Sequence, residues 1–211
     1  ESLIVPKIFY YPGKKIWIET RSGTNIYDPS TEKFDRNSTT YLRALGIPSN
    51  RTISNIVKDK ENNFLFLADS GIIYKYAAAT GKTFVFYRSE SPNNTIATLS
   101  VDNNNQYWLI QYNGVLRKLD SNTGRVLAQT AIPATVFGMG TVYYQLWVDN
   151  DNELWIFVAA NTAGLLRYNP STGAVTRYQK SGGNPHLNTD LVSNVQQDNN
   201  GNIWIGTDHG G

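Results

Sequence analysis

Cysteine is absent from this sequence, which excludes disulfide bonds and thiolate metal sites. Charged residues make up only 17% of the chain, against the roughly 25% usual in soluble domains. The 19 basic and 17 acidic residues are scattered singly, which argues against a nucleic-acid surface. No apolar run reaches the roughly 18 residues needed to span a membrane. We therefore expect no metal, no cofactor, no nucleic-acid partner and no membrane segment in these 211 residues.

Residues typical of strands and turns take the place of the missing charge. Asn, Thr, Ser, Tyr and Gly are abundant, whereas the Ala, Glu, Lys and Leu that favour long helices are sparse. A chain of 211 residues can form one domain or two small ones and can bury a core. The composition predicts an all-β fold.

A repeated pair of residues organises the chain. In four copies an aspartate lies six residues before a tryptophan or a leucine: Asp59 and Leu65, Asp102 and Trp108, Asp149 and Trp155, and Asp198 and Trp204. Trp17 is a fifth anchor, although the aspartate upstream of it is missing. Successive anchors are separated by 48, 43, 47 and 49 residues, and propeller blades repeat at about 40–50 residues.

Each anchor is followed by the same order of segments. A glycine comes first, then a short apolar run, a turn and a last alternating segment, as in Gly114, residues 115–119, residues 123–125 and residues 126–127. This order indicates four short strands per repeat, A to D, with the anchor in strand B. A single four-stranded sheet cannot bury both of its faces, and radial stacking of such sheets solves that problem. The repeat therefore predicts a β-propeller.

The repeat units are expected at approximately residues 1–48, 49–92, 93–137, 138–187 and 188–211, with the last unit incomplete. The first repeat unit is expected to lack strand A, because Lys7–Tyr11 is the only candidate and carries no aspartate. The sequence thus predicts an all-β propeller fragment of about four and a half four-stranded blades, in a longer propeller of the seven-bladed type. Exposed edges and apolar faces of the end blades predict self-association, for example as a homodimer.

Two segments carry a family resemblance. Residues 192–207, which contain Asp198-Asn-Asn-Gly201-Asn-Ile-Trp204, and residues 164–173 resemble the two-component regulator propeller repeat. The resemblance implies the periplasmic sensor region of a hybrid two-component histidine kinase, with neighbouring blades and signalling domains as partners. Leu65 in place of Trp, and the missing aspartate before Trp17, depart from the pattern. The motif specifies blade architecture and no ligand.

The tryptophan anchors lie between aliphatic residues in mid-strand. We therefore expect the four rings to be buried between neighbouring blades, namely Trp17, Trp108, Trp155 and Trp204. Trp147 lies in strand A, where it either faces the central channel or packs between blades.

The turns that begin at Asp102, Asp149 and Asp198 have the appearance of calcium loops. None has the Gly at position six and the Glu at position twelve that an EF-hand loop requires. Asp and Asn also bond to their own backbone in tight turns. We therefore interpret these segments as hairpin turns.

The B–C loops and the connections between blades are expected to share one rim and to hold the ligand site. The candidates are planar or hydrogen-bonding side chains that suit carbohydrate hydroxyls and sugar rings: Arg21, Arg51, Arg88, Tyr112, Asn161, His186, Asp208 and His209. The preferred loop is the long connection at residues 179–190, since long loops are often functional. The alternative explanation is that these loops are polar because they contact water.

Catalytic motifs are lacking. The two histidines, His186 and His209, lie in expected loops without a nearby carboxylate, and no nucleophile elbow, zinc motif or phosphate loop occurs. We therefore expect no enzyme activity in this region. The favoured function is a periplasmic sensor that binds a glycan or oligosaccharide; the alternatives are a protein-interaction scaffold and, behind it, a propeller lyase or hydrolase.

Overall fold

The computed structural model describes residues 7–20, 23–90, 95–132, 134–137, 143–158, 162–181 and 186–208. Antiparallel strands in these residues form four four-stranded sheets and one two-stranded sheet. The chain divides into two compact units, Glu1–Pro92 and Asn93–Gly211. None of the described helices has the length and apolar character to cross a membrane.

The first sheet contains four strands in chain order, β1 (Lys7–Tyr11), β2 (Lys15–Thr20), β3 (Gly23–Asp28) and β4 (Lys33–Asp35). A short helix that the repeat did not predict, α1 (Ser38–Ala44), follows it. The preceding residue, Asn37, caps this helix, because its side chain accepts the N–H of Thr40.

Strand A of the first sheet is present, contrary to the expectation from the missing aspartate. β1 pairs with β2 along its whole length. The position six residues before Trp17 is taken by Tyr11, whose ring stacks on the indole with a centroid distance of 5.8 Å and an interplanar angle of 20°. The Tyr11 hydroxyl donates a hydrogen bond of 2.7 Å to the carbonyl of Tyr41. Aromatic stacking thus joins strands A and B where the aspartate is lacking.

The second sheet contains β5 (Ile53–Lys58), β6 (Phe64–Ala68), β7 (Ile72–Ala77) and β8 (Lys82–Arg88). A 3-10 turn, Asp69–Gly71, connects β6 to β7. Every residue of β6 is buried, because its two faces contact apolar side chains. The core of the first compact unit joins the first two sheets and α1. It includes Trp17, Ile26, Leu42, Ile53, Phe64, Phe66 and Ile72.

The third sheet contains β9 (Ile96–Val101), β10 (Tyr107–Gln111), β11 (Val115–Leu119) and β12 (Val126–Ala131), followed by the short helix α2 (Ala134–Phe137). The B–C turn of this sheet requires a glycine. Gly114 has a φ of +82°, and a Cβ at that position would lie 2.9 Å from the carbonyl oxygen of Ile132.

The fourth sheet contains β13 (Tyr144–Val148), β14 (Leu154–Val158), β15 (Leu165–Tyr168) and β16 (Val175–Tyr178). It packs against the third sheet through a cluster that includes Trp108, Ile110, Leu116, Leu146, Leu154 and Ile156. The alternation of inward apolar and outward polar residues is lost in β14, which is buried throughout.

The fifth sheet contains only β17 (Val192–Gln197) and β18 (Ile203–Thr207). Val192 and Val195 of β17 pack against Trp155 and Phe157 of the fourth sheet, and Trp147 contacts the same cluster. Of the two alternatives for Trp147, packing between blades is therefore the one that its contacts support.

Burial of the tryptophan anchors was predicted correctly in three sheets and wrongly in the fifth. Trp17, Trp108 and Trp155 are 2–5% exposed, whereas Trp204 is 65% exposed. The three buried rings have an adjacent sheet to pack against, and in the described residues no further sheet covers Trp204. Burial of the anchor therefore depends on a neighbouring blade and not on the motif alone.

Candidate functional site

A carboxylate organises the turn between strands A and B in the second to fifth sheets. In each turn the Oδ1 atom accepts the backbone N–H groups two and four residues further on, at 2.8–2.9 Å: Asp59 from Glu61 and Asn63, Asp102 from Asn104 and Gln106, Asp149 from Asp151 and Glu153, and Asp198 from Asn200 and Asn202. The residue three positions after each aspartate has a positive φ: Asn62, Asn105, Asn152 and Gly201. These are residue types that tolerate this conformation, so the interpretation as turns is confirmed.

The second carboxylate oxygen of these aspartates explains the spacing of six residues. Trp108, Trp155 and Trp204 each donate the indole N–H to the Oδ2 of their own aspartate, at 3.1, 2.8 and 3.0 Å. In the second sheet, where Leu65 replaces Trp, the Asn63 amide donates to Asp59 at 2.9 Å instead. Both carboxylate oxygens therefore stabilise the blade, one in the A–B turn and the other through a side chain that follows it. Among the described residues no group of three or more His, Asp or Glu is placed to hold a metal ion.

In the third and fourth sheets a cation on strand C contacts both the anchor tryptophan and an acidic side chain. The Lys118 Nζ lies 5.4 Å from the Trp108 ring centroid and 3.0 Å from the Asp102 carboxylate. The Arg167 guanidinium lies 5.7 Å from the Trp155 ring centroid and pairs with Glu153. Hydrogen bonding to Glu153 is the main cause that raises the pKa of Arg167. These cations stabilise the blade through the anchor tryptophan and an acidic side chain.

The A–B turns of the second unit are also joined to one another. The Asn103 side-chain amide donates to the carbonyls of Asp149 and Asn150 at 2.9 and 2.7 Å. The Asn150 N–H donates to the Gln197 side chain at 2.9 Å. This end of the third to fifth sheets is therefore a hydrogen-bonded frame.

Acid should weaken the last of these turns. Hydrogen bonds from Trp204 and Asn202 lower the pKa of Asp198 from 3.8 to about 2. Because the folded-state pKa is depressed, we expect the stabilisation to be complete above about pH 4 and to be lost as the pH falls towards 2. A carboxyl titration by NMR should give a midpoint for Asp198 well below 3.8, and a midpoint at or above 3.8 would contradict the hydrogen-bonded turn.

The opposite end of the sheets carries the B–C turns and the connections that enter strand A, and the predicted site residues that the structure describes lie there. In the second sheet this end holds Arg51, before β5, and Arg88, the last residue of β8. The Arg51 Nη1 lies 3.5 Å from the Asp69 carboxylate. Hydrogen bonding to Tyr74, together with the charge of Asp69, raises the pKa of Arg51. The Arg51 Nε is buried without a hydrogen-bond acceptor among the described residues.

In the third sheet the B–C turn places Tyr112 beside a residue that the sequence analysis missed. The Tyr112 ring meets the Tyr143 ring edge-on, with a centroid distance of 5.4 Å and an angle of 81°. Burial raises the pKa of Tyr112, and Tyr143 adds to the shift. Tyr143 is 66% exposed, so it presents a ring to solvent at this end. The pair of aromatic residues at the start of strand A, Tyr143 and Tyr144, was the available sequence signal.

The remaining described candidates belong to the last connection and hairpin of the second unit. His186 is exposed in the connection between β16 and β17. The Asp208 N–H donates to the Leu191 carbonyl at 2.8 Å, which places Asp208 at the B–C end of the fifth sheet. Arg21, Asn161 and His209 lie outside the described residues. The structure thus brings Arg51 and Arg88 to one end of the second sheet and pairs Tyr112 with Tyr143.

Residues 186–209 match the family model of the two component regulator propeller, as the resemblance predicted. No curated protein sequence matches the chain. The extracellular domain assigned to a hybrid two component system of B. thetaiotaomicron is similar over 98% of this chain and 26% of its own, with 21% identity and a TM-score of 0.62.

Two further solved structures show the same fold. A second such extracellular domain from B. thetaiotaomicron has 18% identity and a TM-score of 0.60, over 98% of this chain and 32% of its own. Virginiamycin B lyase from Staphylococcus aureus has 14% identity and a TM-score of 0.62, over 94% of this chain and 61% of its own. The chain therefore has the β-propeller fold, carries a two component regulator propeller repeat and spans about a quarter to a third of the two extracellular domains.

Proposed function

We propose that this chain is a ligand-binding part of the periplasmic sensor region of a two-component signalling protein and that it recognises a glycan or oligosaccharide. The observation that carries the proposal is the match of residues 186–209 to the two component regulator propeller, in a chain whose fold resembles two extracellular domains of that kind of system. The region acts by binding and not by catalysis.

The organisation of the whole protein is part of this proposal. The five repeat units form one propeller domain, which continues in a longer propeller of the seven-bladed type. Histidine kinase and regulator domains lie elsewhere in the protein, and the region self-associates as a homodimer. A ligand can relay its presence only if it binds one arrangement of propeller and partner more tightly than another.

An exposed aromatic ring at the B–C end of the third and fourth sheets supports a sugar as the ligand. The exposed Tyr143 ring, held edge-on by Tyr112, offers a flat surface on which the apolar face of a sugar ring can stack. Around such a surface, a few polar groups fix the orientation of a ligand.

Calorimetry against a panel of neutral oligosaccharides tests this proposal. We expect at least one to bind, and we expect Tyr143→Ala to weaken that binding about three- to tenfold, because one aromatic contact contributes about 0.5–1.5 kcal/mol. Tyr143→Phe should retain most of the affinity, since the ring remains. Phe84→Ala removes an exposed ring from β8 and serves as the control that should leave affinity unchanged. Binding by no member of the panel would contradict the proposal, and so would equal affinity of the Tyr143→Ala variant.

A propeller lyase is the second candidate, because the virginiamycin B lyase is similar to this chain over 94% of its residues. Saturable turnover of any sugar in the panel, lost in His186→Ala, would favour it over the sensor. Binding without turnover favours the sensor.

A further inference from the structure

A cavity of about 530 Å³ lies at the end of the first two sheets that carries their A–B and C–D turns. It is on the opposite end of these sheets from Arg51 and Arg88. Its volume falls within the range of about 300–1,000 Å³ typical of small-molecule sites. Side chains from both sheets line it: Tyr10, Tyr11, Lys14, Ile16, Lys58, Asn62, Phe64 and Tyr76.

The wall of this cavity is aromatic. Tyr11 and Phe64 are buried parts of the core, so they form a fixed surface. Tyr10 is 75% exposed and leaves its ring accessible at the mouth. Rings in such positions favour a ligand with a flat apolar face.

The charge of the cavity is entirely positive. Its lining contains Lys14 and Lys58 and no acidic residue. Neighbouring lysines of the same unit are neutralised, Lys15 by Asp28 and Lys75 by Asp59. Lys14 and Lys58, in contrast, form no ion pair with any described residue. Two unpaired ammonium groups on one cavity favour an anionic ligand.

The backbone at Lys14 supplies an independent observation. Lys14 occupies the turn position that is Asn62, Asn105, Asn152 or Gly201 in the other sheets, and all five residues have a positive φ. Asn and Gly tolerate this conformation, whereas Lys adopts it at a cost in stability. Strained residues of this kind concentrate at binding sites, where the side chain is needed. Lys14 is also one of the residues that line the cavity.

We propose that this cavity binds a carboxylate carried on a ring with an apolar face, with Lys14 and Lys58 holding the carboxylate and Tyr10 stacking on the ring. Uronic acid sugars and aromatic carboxylates share this chemistry. The amide of Asn62, which bonds to no described side chain, is available to a ring hydroxyl. The site is separate from the B–C end, so either proposal can fail without the other.

Calorimetry with trigalacturonate, 4-hydroxybenzoate and the neutral galactotriose tests this inference. We expect one of the two carboxylates to bind, more weakly as salt increases, and the neutral trisaccharide to bind at least tenfold more weakly. Which carboxylate binds identifies the source of the ligand. Because the proposed B–C site takes neutral sugars, the affinity for galactotriose is measured in the Tyr143→Ala variant. Absence of binding by both carboxylates, or equal affinity for galactotriose in that variant, would overturn the proposal.

Three variants assign the binding to this cavity. Lys58→Gln should lower the affinity about tenfold or more, since it removes a charge-assisted hydrogen bond. Lys14→Gly should lower it similarly and at the same time raise the thermal unfolding midpoint, because glycine relieves the positive φ. The control, Lys33→Gln, removes a charge from β4 of the same sheet without touching the lining. Binding that survives both Lys14→Gly and Lys58→Gln would overturn the assignment.

Discussion

Replacement of Asp149 by alanine is expected to lower the free energy of unfolding by about 3–5 kcal/mol, which is at the upper end for a single substitution. The carboxylate is 5% exposed and accepts three hydrogen bonds, from the backbone of Asp151 and Glu153 and from the Trp155 indole. Alanine leaves these donors without an acceptor, and a buried unsatisfied group costs about 1–3 kcal/mol. Urea denaturation followed by circular dichroism gives the change.

Two further variants separate the contributions of the carboxylate oxygens. Asp149→Asn retains Oδ1 for the backbone but turns an amide N–H₂ towards the indole, so we expect a smaller loss of about 1–3 kcal/mol. Asp151→Asn, at an exposed position in the same turn, should change stability by less than about 0.5 kcal/mol. If Asp149→Ala were no more destabilising than Asp151→Asn, the aspartate would not be the anchor of the blade.

Replacement of Gly164 by alanine is the second large effect expected. Gly164 has a φ of +79°, and a Cβ there would lie 2.2 Å from the carbonyl oxygen of Tyr178. The clash is with backbone that is hydrogen-bonded in the fourth sheet, so the sheet itself must move. We expect a loss of at least about 3 kcal/mol, measured by the same denaturation experiment.

Gly173 is the matched control for Gly164. It has a similar φ of +74°, but a Cβ at this position would meet nothing within 4 Å. Gly173→Ala therefore reports the cost of the backbone conformation alone, about 1–2 kcal/mol. Equal losses at the two glycines would show that the close approach of strand D to Gly164 has no energetic consequence.

The repeat predicted the strands well because its residues act locally. Asp149 bonds to Asp151, Glu153 and Trp155, all within six positions, so the pattern is visible in the sequence. Strand A of the first sheet could not be predicted in this way. There Tyr11 stacks on Trp17, and an aromatic residue in place of an aspartate gives no signal in a search for the aspartate.

The sites depend on contacts between distant residues, which one sequence does not display. Tyr112 and Tyr143 meet across two sheets, and the cavity of the first unit combines Lys14 with Lys58 from another hairpin. The burial of Trp204 was predicted wrongly for a related reason. The motif specifies the ring, whereas a neighbouring sheet covers it.

The central claim is that the B–C end of the sheets binds a sugar while the A–B end of the second unit is structural. NMR chemical-shift mapping with a neutral oligosaccharide that binds tests it most directly. The account predicts that the amides of Tyr112, Tyr143 and Asp208 shift, and that those of Asn104 and Asp151 in the A–B turns do not. Shifts confined to the A–B turns, with Tyr112 and Tyr143 unchanged, would contradict it.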